Sequence, residues 1–188
     1  MKGNGIRKLI SIGVVLTATL IAHADARADW QADPDDKRQV KASRMVERFK
    51  ERIPRTRDYF DDAYGYAILP SVTRVGFGFS GSYGRGLVVE GDELIGTTGF
   101  WQFSSGIQAG AKYFSMLVFF RDREALEYFK LRRTQFVGQA GLAFATVGAD
   151  GTPAYNEGVA IVTMTRFGLM GEFAAAGSKY TYKPLENQ

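Results

Sequence analysis

Residues 63–90 are the stretch that most constrains the fold, because closely spaced glycines alternate there with aromatic side chains. Glycine occurs at positions 65, 76, 78, 81, 84 and 86, and aromatic residues occur at 64, 66, 77, 79 and 83. Glycine this dense in β-rich sequence is typical of bends, bulges and places where another group approaches the backbone. The aromatic residues indicate a packed segment and not a flexible linker. Before this stretch the chain is charged and predicts helix, and after it the chain predicts strands.

The first 28 residues have the pattern of a secretory signal peptide. Basic residues precede an apolar run at 9–22, and A-x-A patterns suited to cleavage end at Ala24 and Ala28. The apolar run is shorter than the roughly 20 residues that span a bilayer. We therefore expect an exported protein, periplasmic or secreted, with one domain at 29–188.

Removal of the signal peptide changes the charge. Of the 24 basic and 20 acidic side chains, four basic and one acidic lie in residues 1–28, which leaves 20 against 19 and a net charge of +1. Nucleic-acid-binding proteins carry a basic excess. The near-neutral mature chain therefore predicts no nucleic-acid partner.

The side chains on which much catalysis depends are rare. The chain has no cysteine, and its single histidine, His23, lies in the signal peptide. Disulfides, a lipobox cysteine, histidine-dependent triads and imidazole or thiolate metal sites are therefore excluded from the mature chain. An enzyme that uses only carboxylates needs two acids across a cleft, whereas the acids here fall mainly in helices and turns. We expect no catalytic residues, no metal site and no cofactor.

Three helices are predicted, at 33–53, 55–64 and 123–131. The first begins at Asp33 and Pro34, ends before Pro54, and has apolar residues three and four positions apart beside a basic face. Such a helix either lies on anionic lipid or packs on the domain, and we favour packing. Asp122 is the predicted N-cap of the last helix.

The remainder predicts strands and a predominantly antiparallel, strongly curved, glycine-rich sheet. This sheet is expected to resemble a barrel or a sandwich, in an α+β fold with N-terminal helices and one helix inserted between strands. The predicted strands are 66–69, 73–80, 84–90, 93–97, 100–110, 112–120, 136–147, 158–166, 168–175 and 179–182. Turns are expected at 90–93 and 149–153.

Two glycine motifs suggest phosphate binding. Residues 76–81 match G-x-G-x-x-G, but a dinucleotide site requires that loop to open a helix, and strand follows here. We therefore reject a dinucleotide site. Gly84-Arg85-Gly86 can present a guanidinium and exposed amides to a phosphate, or it can be a solvated turn.

An ordered series of motifs resembles the SYLF domain family and covers most of the mature chain, from Tyr59 to Leu185. The matching segments are AYGYAILP at 63–70, VGFG at 75–78, GRG at 84–86, WQF at 101–103, GIQAG at 106–110, FFRD at 119–122, GVA at 158–160 and GLM at 168–170. The resemblance implies lipid or phosphoinositide binding and carries no catalytic residues. Actin binding belongs to some eukaryotic members, and is not expected of an exported chain of bacterial type.

The predicted function is therefore non-enzymatic binding of a phospholipid, a fatty acyl ligand or a membrane surface in the bacterial cell envelope. Two alternatives remain, an envelope structural or interaction protein without lipid and an outer-membrane β-barrel. The helix at 123–131 and the polar C-terminus disfavour the barrel. The predicted lipid-binding residues are Arg74, Arg85, Phe77, Phe79, Trp101 and Phe103.

Overall fold

The computed structural model describes residues 30–131, 135–137, 145–146, 155 and 157–185. It describes the backbone alone at 105–108, 135–137, 145–146 and 167–178. The elements in chain order are α1 (Lys37–Arg52), α2 (Thr56–Asp62), β1 (Gly65–Glu90), β2 (Glu93–Phe120), α3 (Arg123–Leu131), β3 (Gln135–Val137), β4 (Ala145–Thr146) and β5 (Val159–Pro184). The predicted signal peptide, the turn at 149–153 and most of the predicted strand at 136–147 lie outside the described residues.

The described strands form one sheet in the order β1-β2-β5-β3, and β4 also pairs with β5. All pairs are antiparallel except β4 with β5. The α+β class with a mainly antiparallel sheet and three helices is therefore confirmed. The barrel expectation is wrong, because β1 and β3 each pair with a single described strand and the sheet is not closed. No described helix is both long enough and apolar enough to cross a bilayer.

The helices follow their capping residues. The N-cap of α1 is Asp36 and not Asp33, because the Asp36 carboxylate accepts from Arg38 N at 2.8 Å, whereas that of Asp33 accepts from Asp35 N in a preceding turn. In α3 the predicted cap is confirmed, since Ala125 N donates to Asp122 Oδ1 at 2.9 Å. Side-chain acceptors of this kind satisfy N–H groups that have no partner within the helix.

Nine predicted strands merge into β1, β2 and β5, which contain 26, 28 and 26 residues. A straight strand of this length spans roughly 85 Å. Yet the two ends of β1 meet, because Gly91 N donates to Tyr64 O at 3.1 Å and Tyr64 Oη donates to Glu90 Oε1 at 2.6 Å. Gly86 packs against the carbonyl of Ile68, and a Cβ on Gly86 would collide with it. Glycine in β1 thus permits one half of the strand to contact the other.

Two buried clusters hold these strands. One contains the inner face of α1 with β-strand residues such as Ile68 and Phe119, and the other contains α3 with residues such as Leu69 and Phe120. In α1 the buried side chains are Ala42, Met45, Val46 and Phe49. The predicted packing of this helix on the domain is therefore confirmed.

Candidate functional site

The sheet reverses its usual polarity beyond the region that the helices cover. Aromatic and aliphatic side chains point to solvent there, whereas the polar residues that alternate with them are buried. An antiparallel sheet in water normally shows the opposite arrangement. We call the exposed set the aromatic patch; its members and exposed fractions are Val75 (55%), Phe77 (88%), Phe79 (77%), Trp101 (46%) and Phe103 (71%).

Strand register brings the aromatic patch together. Phe103 lies opposite Gly81 and Phe79 lies opposite position 105, so Phe79 and Phe103 are diagonal neighbours on one face. Diagonal pairs of this kind are about 7–8 Å apart and within reach of aromatic rings. The Tyr83 and Trp101 rings meet with their centroids 4.4 Å apart. The patch is therefore a continuous surface on β1 and β2.

A register shift between Phe77 and Phe79 shapes one end of the patch. Gly78 separates these two residues and has a φ of 70°, a left-handed conformation that glycine adopts without strain. Phe77 and Phe79 lie two positions apart and therefore share one face, as alternate residues of a strand do, and Gly78 between them is exposed as well. The glycine at position 78 therefore permits the register shift within the patch without backbone strain.

Arg74 lies apart from the other predicted lipid-binding residues. It is only 8% exposed, on the inner side of the sheet. Its Nε donates to Ser80 Oγ at 3.1 Å and its terminal nitrogen donates to Ser104 Oγ at 2.6 Å. The two hydroxyls are 2.7 Å from each other. Arg74 thus joins β1 to β2 beneath the aromatic patch.

Arg85, in contrast, lies on the exposed face with the patch. Its guanidinium carbon is 5.7 Å from the centre of the Tyr83 ring, which itself contacts Trp101. A cation held over an aromatic face is attracted by the ring quadrupole. Five of the six predicted residues are therefore on one surface, and Arg74 is the exception.

A cleft of about 770 Å³ adjoins the patch between the first turns of α1 and strands β1, β2 and β5. Tyr83 and Trp101 belong to its lining and connect it to the aromatic patch. Its cationic lining residues are Arg38, Lys41, Arg85 and Lys183. Among the described residues that line the cleft, none carries a carboxylate.

The sequence indicated only part of this cleft. Arg38 and Lys41 belong to the basic face of the first predicted helix, and Arg85 belongs to the Gly-Arg-Gly motif. Lys183 joins them because Thr97 pairs with Lys183 across β2 and β5. A contact between positions 86 residues apart had no local signal in the sequence.

The carboxylates with shifted pKa values have structural roles. Hydrogen bonds from Arg38 lower the pKa of Asp36 to about 2. A hydrogen bond from Tyr64 and the ammonium of Lys130 lower the pKa of Glu90, which links the end of β1 to α3. Within the described part of the chain, no group of three or more acidic side chains is arranged to hold a metal ion.

Comparisons with known proteins give one distant relative. The chain is 27% identical over 139 residues to Beta cell expansion factor A from Aeromonas veronii, an alignment that covers 72% of this chain and 52% of that protein. The chain thus spans about half the length of the curated relative that it matches. No family model and no solved structure matches the chain.

Proposed function

We propose that this is a non-enzymatic protein that binds lipid by placing its aromatic patch in the interfacial region of a membrane. The observation that carries the proposal is the exposure of three phenylalanines, Phe77, Phe79 and Phe103, at 71–88% on one sheet face. Contiguous exposed apolar surface is characteristic of interaction sites. Trp101 at its border has the amphipathic ring that membrane–water interfaces favour.

The patch provides enough apolar surface for appreciable affinity. Transfer of a phenylalanine side chain from water to an apolar environment contributes about 1.5–3 kcal/mol. Three such side chains give a gross contribution of roughly 5–9 kcal/mol, from which the cost of immobilising the protein at the surface is subtracted. Ser80, Gln102 and Ser104 are buried on the inner side of the sheet. The patch can therefore enter the lipid without carrying these polar side chains into the apolar phase.

Cationic side chains beside the patch favour a membrane as its occupant. Arg85 is exposed next to Tyr83, and Lys179 is the cross-strand partner of Trp101. A basic residue near an anionic bilayer contributes about 1 kcal/mol. Apolar side chains bordered by cations therefore match the layered chemistry of acyl chains beneath anionic headgroups.

The wider proposal combines this surface with the sequence motifs. The protein is exported by its signal peptide, belongs with SYLF-like domains through the motifs at 63–70, 84–86 and 101–103, and acts in the periplasm or after secretion. Its strongly curved, glycine-rich sheet turns the aromatic patch outward while helices cover the remainder. The contact of Gly86 with Ile68 and the meeting of the two ends of β1 support that curvature.

Co-sedimentation with phosphatidylcholine vesicles tests the proposal. The double variant Phe79→Ser with Phe103→Ser is expected to reduce the bound fraction at least tenfold, because two apolar anchors are lost. The matched control, Leu131→Ser with Leu185→Ser, removes two other exposed leucines (82% and 44% exposed) and is expected to bind as wild type does. Equal binding by the wild type and the phenylalanine variant would refute the proposal.

A further inference from the structure

We propose that the cleft between α1 and the sheet is a binding site for a phosphate-bearing ligand, which adjoins the aromatic patch and shares Trp101 with it. The cleft contains four cationic side chains, and no carboxylate belongs to its described lining. A cleft lined by charges of one sign concentrates the electrostatic potential and attracts ions of the opposite sign. The proposal concerns a polar site and does not depend on membrane docking.

Most of this positive charge is available to a ligand. Arg38 is paired with Asp36 at 2.9 Å. In the part of the chain that the structure describes, Lys41, Arg85 and Lys183 form no ion pair within 4.0 Å of a carboxylate. Lys41, Arg85 and Lys183 are exposed, so a ligand reaches them without moving the core.

The start of α1 contributes to the positive charge of the cleft. Arg38 and Lys41 lie one turn apart on this helix and both line the cleft. Asp36 caps the helix and pairs with Arg38, so Lys41 is the cation of α1 in the cleft lining that remains for a ligand.

The other walls select an organic phosphate over a simple ion. The volume of about 770 Å³ lies within the range of small-molecule sites, which is about 300–1,000 Å³. Tyr83 and Trp101 form an aromatic wall, and Ser71 and Thr97 place hydroxyl-bearing residues in the lining. Guanidinium, ammonium and hydroxyl groups hydrogen-bond phosphate oxygens, while the aromatic wall contacts the organic part. Such a phosphate belongs either to a soluble molecule or to a lipid headgroup.

Two probes distinguish these sources. The first is soluble pyrophosphate, measured by isothermal titration, and the second is vesicles of phosphatidylcholine with phosphatidic acid at 4:1, measured by co-sedimentation. The test variant is Lys41→Gln with Lys183→Gln, which removes two cleft cations that the membrane proposal does not use. The matched control is Arg44→Gln with Arg48→Gln, which removes the same charge from exposed positions of α1 outside the cleft lining.

We expect the cleft variant to bind at least one probe at least tenfold more weakly than the control does, with affinity that falls as salt increases. A loss with pyrophosphate and not with vesicles identifies a soluble phosphate ligand, and a loss with vesicles identifies a lipid headgroup. The proposal is overturned if neither probe binds, or if both variants bind each probe equally. Binding to pure phosphatidylcholine reports on the aromatic patch, so the two proposals fail independently.

Discussion

Replacement of Arg74 by alanine separates a structural role from the headgroup role that the sequence suggested. Arg74 is 8% exposed and makes two hydrogen bonds to hydroxyls, one on β1 and one on β2. Hydrogen bonds from a charged group contribute about 1.5–3 kcal/mol each. We therefore expect Arg74→Ala to lower the free energy of unfolding by about 3 kcal/mol or more, which is about 6 °C or more in Tm for a chain of this size.

Thermal unfolding followed by circular dichroism measures this loss. Arg85→Ala is the matched control, because Arg85 is exposed and its removal is expected to change stability by at most about 0.5 kcal/mol. Below its own melting temperature, Arg74→Ala is expected to bind neutral vesicles as wild type does. This account of the residue would be refuted if Arg74→Ala had the Tm of the wild type. It would also be refuted if Arg74→Ala kept the wild-type stability and lost binding to vesicles.

Four further predictions concern stability. Phe49→Ala removes a fully buried ring of α1 and is expected to lower the free energy of unfolding, measured in urea, by about 3–5 kcal/mol. Deletion of 29–53 is expected to abolish cooperative melting. A deletion variant that still folded and melted cooperatively would contradict the packing of α1 on the domain. The Thr98 hydroxyl is buried without a hydrogen-bond partner among the described residues, so Thr98→Val is expected to raise stability by about 1 kcal/mol, whereas a lower Tm would contradict this. Arg38 lowers the pKa of Asp36 from 3.8 to about 2. The pair therefore stabilises the folded state slightly at pH values above 3.8, and this contribution is lost as the pH falls through 2. Asp36→Asn, which keeps the cap, should therefore lower Tm slightly at pH 7 and not below pH 2, and a pH-independent difference would exclude the charge as the cause.

Local patterns were sufficient for the helices and for the positions of most strand residues. The predicted bounds of the third helix agree with α3, since Asp122 is the nearest capping side chain before its apolar face. At the first helix three aspartates, Asp33, Asp35 and Asp36, precede the apolar face, and the local sequence favoured Asp33 as the cap because Pro34 follows it. Asp33 instead closes a turn by accepting from Asp35 N, so α1 begins four residues later than expected.

Strand lengths required contacts that local sequence does not contain. Pro70 and Gly81 lay in the predicted breaks at 70–72 and 81–83, yet β1 continues through both. Proline is tolerated because β1 has a single described partner and its register shifts between Leu69 and Val72. Gly84 contacts Val72 where the two halves of β1 pack against each other, and it does not form a turn. Of the roles expected for glycine in this stretch, close approach of other chain atoms applies at Gly84 and Gly86, whereas no atom lies within 4 Å of the position that a Cβ would take at Gly81.

The candidate site was predictable where alternation alone decides the face. Phe77, Phe79, Trp101 and Phe103 were selected as a surface, and the structure places them together. The inward orientation of Arg74 depends on Ser104, which lies 30 positions away. The cleft likewise depends on β5, which places Lys183 opposite Thr97 and adds it to the lining. Contacts of this range follow from topology, which periodicity does not encode.

Tryptophan fluorescence with brominated phosphatidylcholine vesicles tests the membrane claim most directly. The chain has two tryptophans, of which Trp30 is 8% exposed within the cluster under α1 and Trp101 is 46% exposed at the aromatic patch. If the patch enters the bilayer interface, vesicles should shift the emission to shorter wavelength and bromine should quench the Trp101 component. The quenching should disappear in the variant Phe79→Ser with Phe103→Ser. Emission that vesicles neither shift nor quench would contradict membrane binding through this surface.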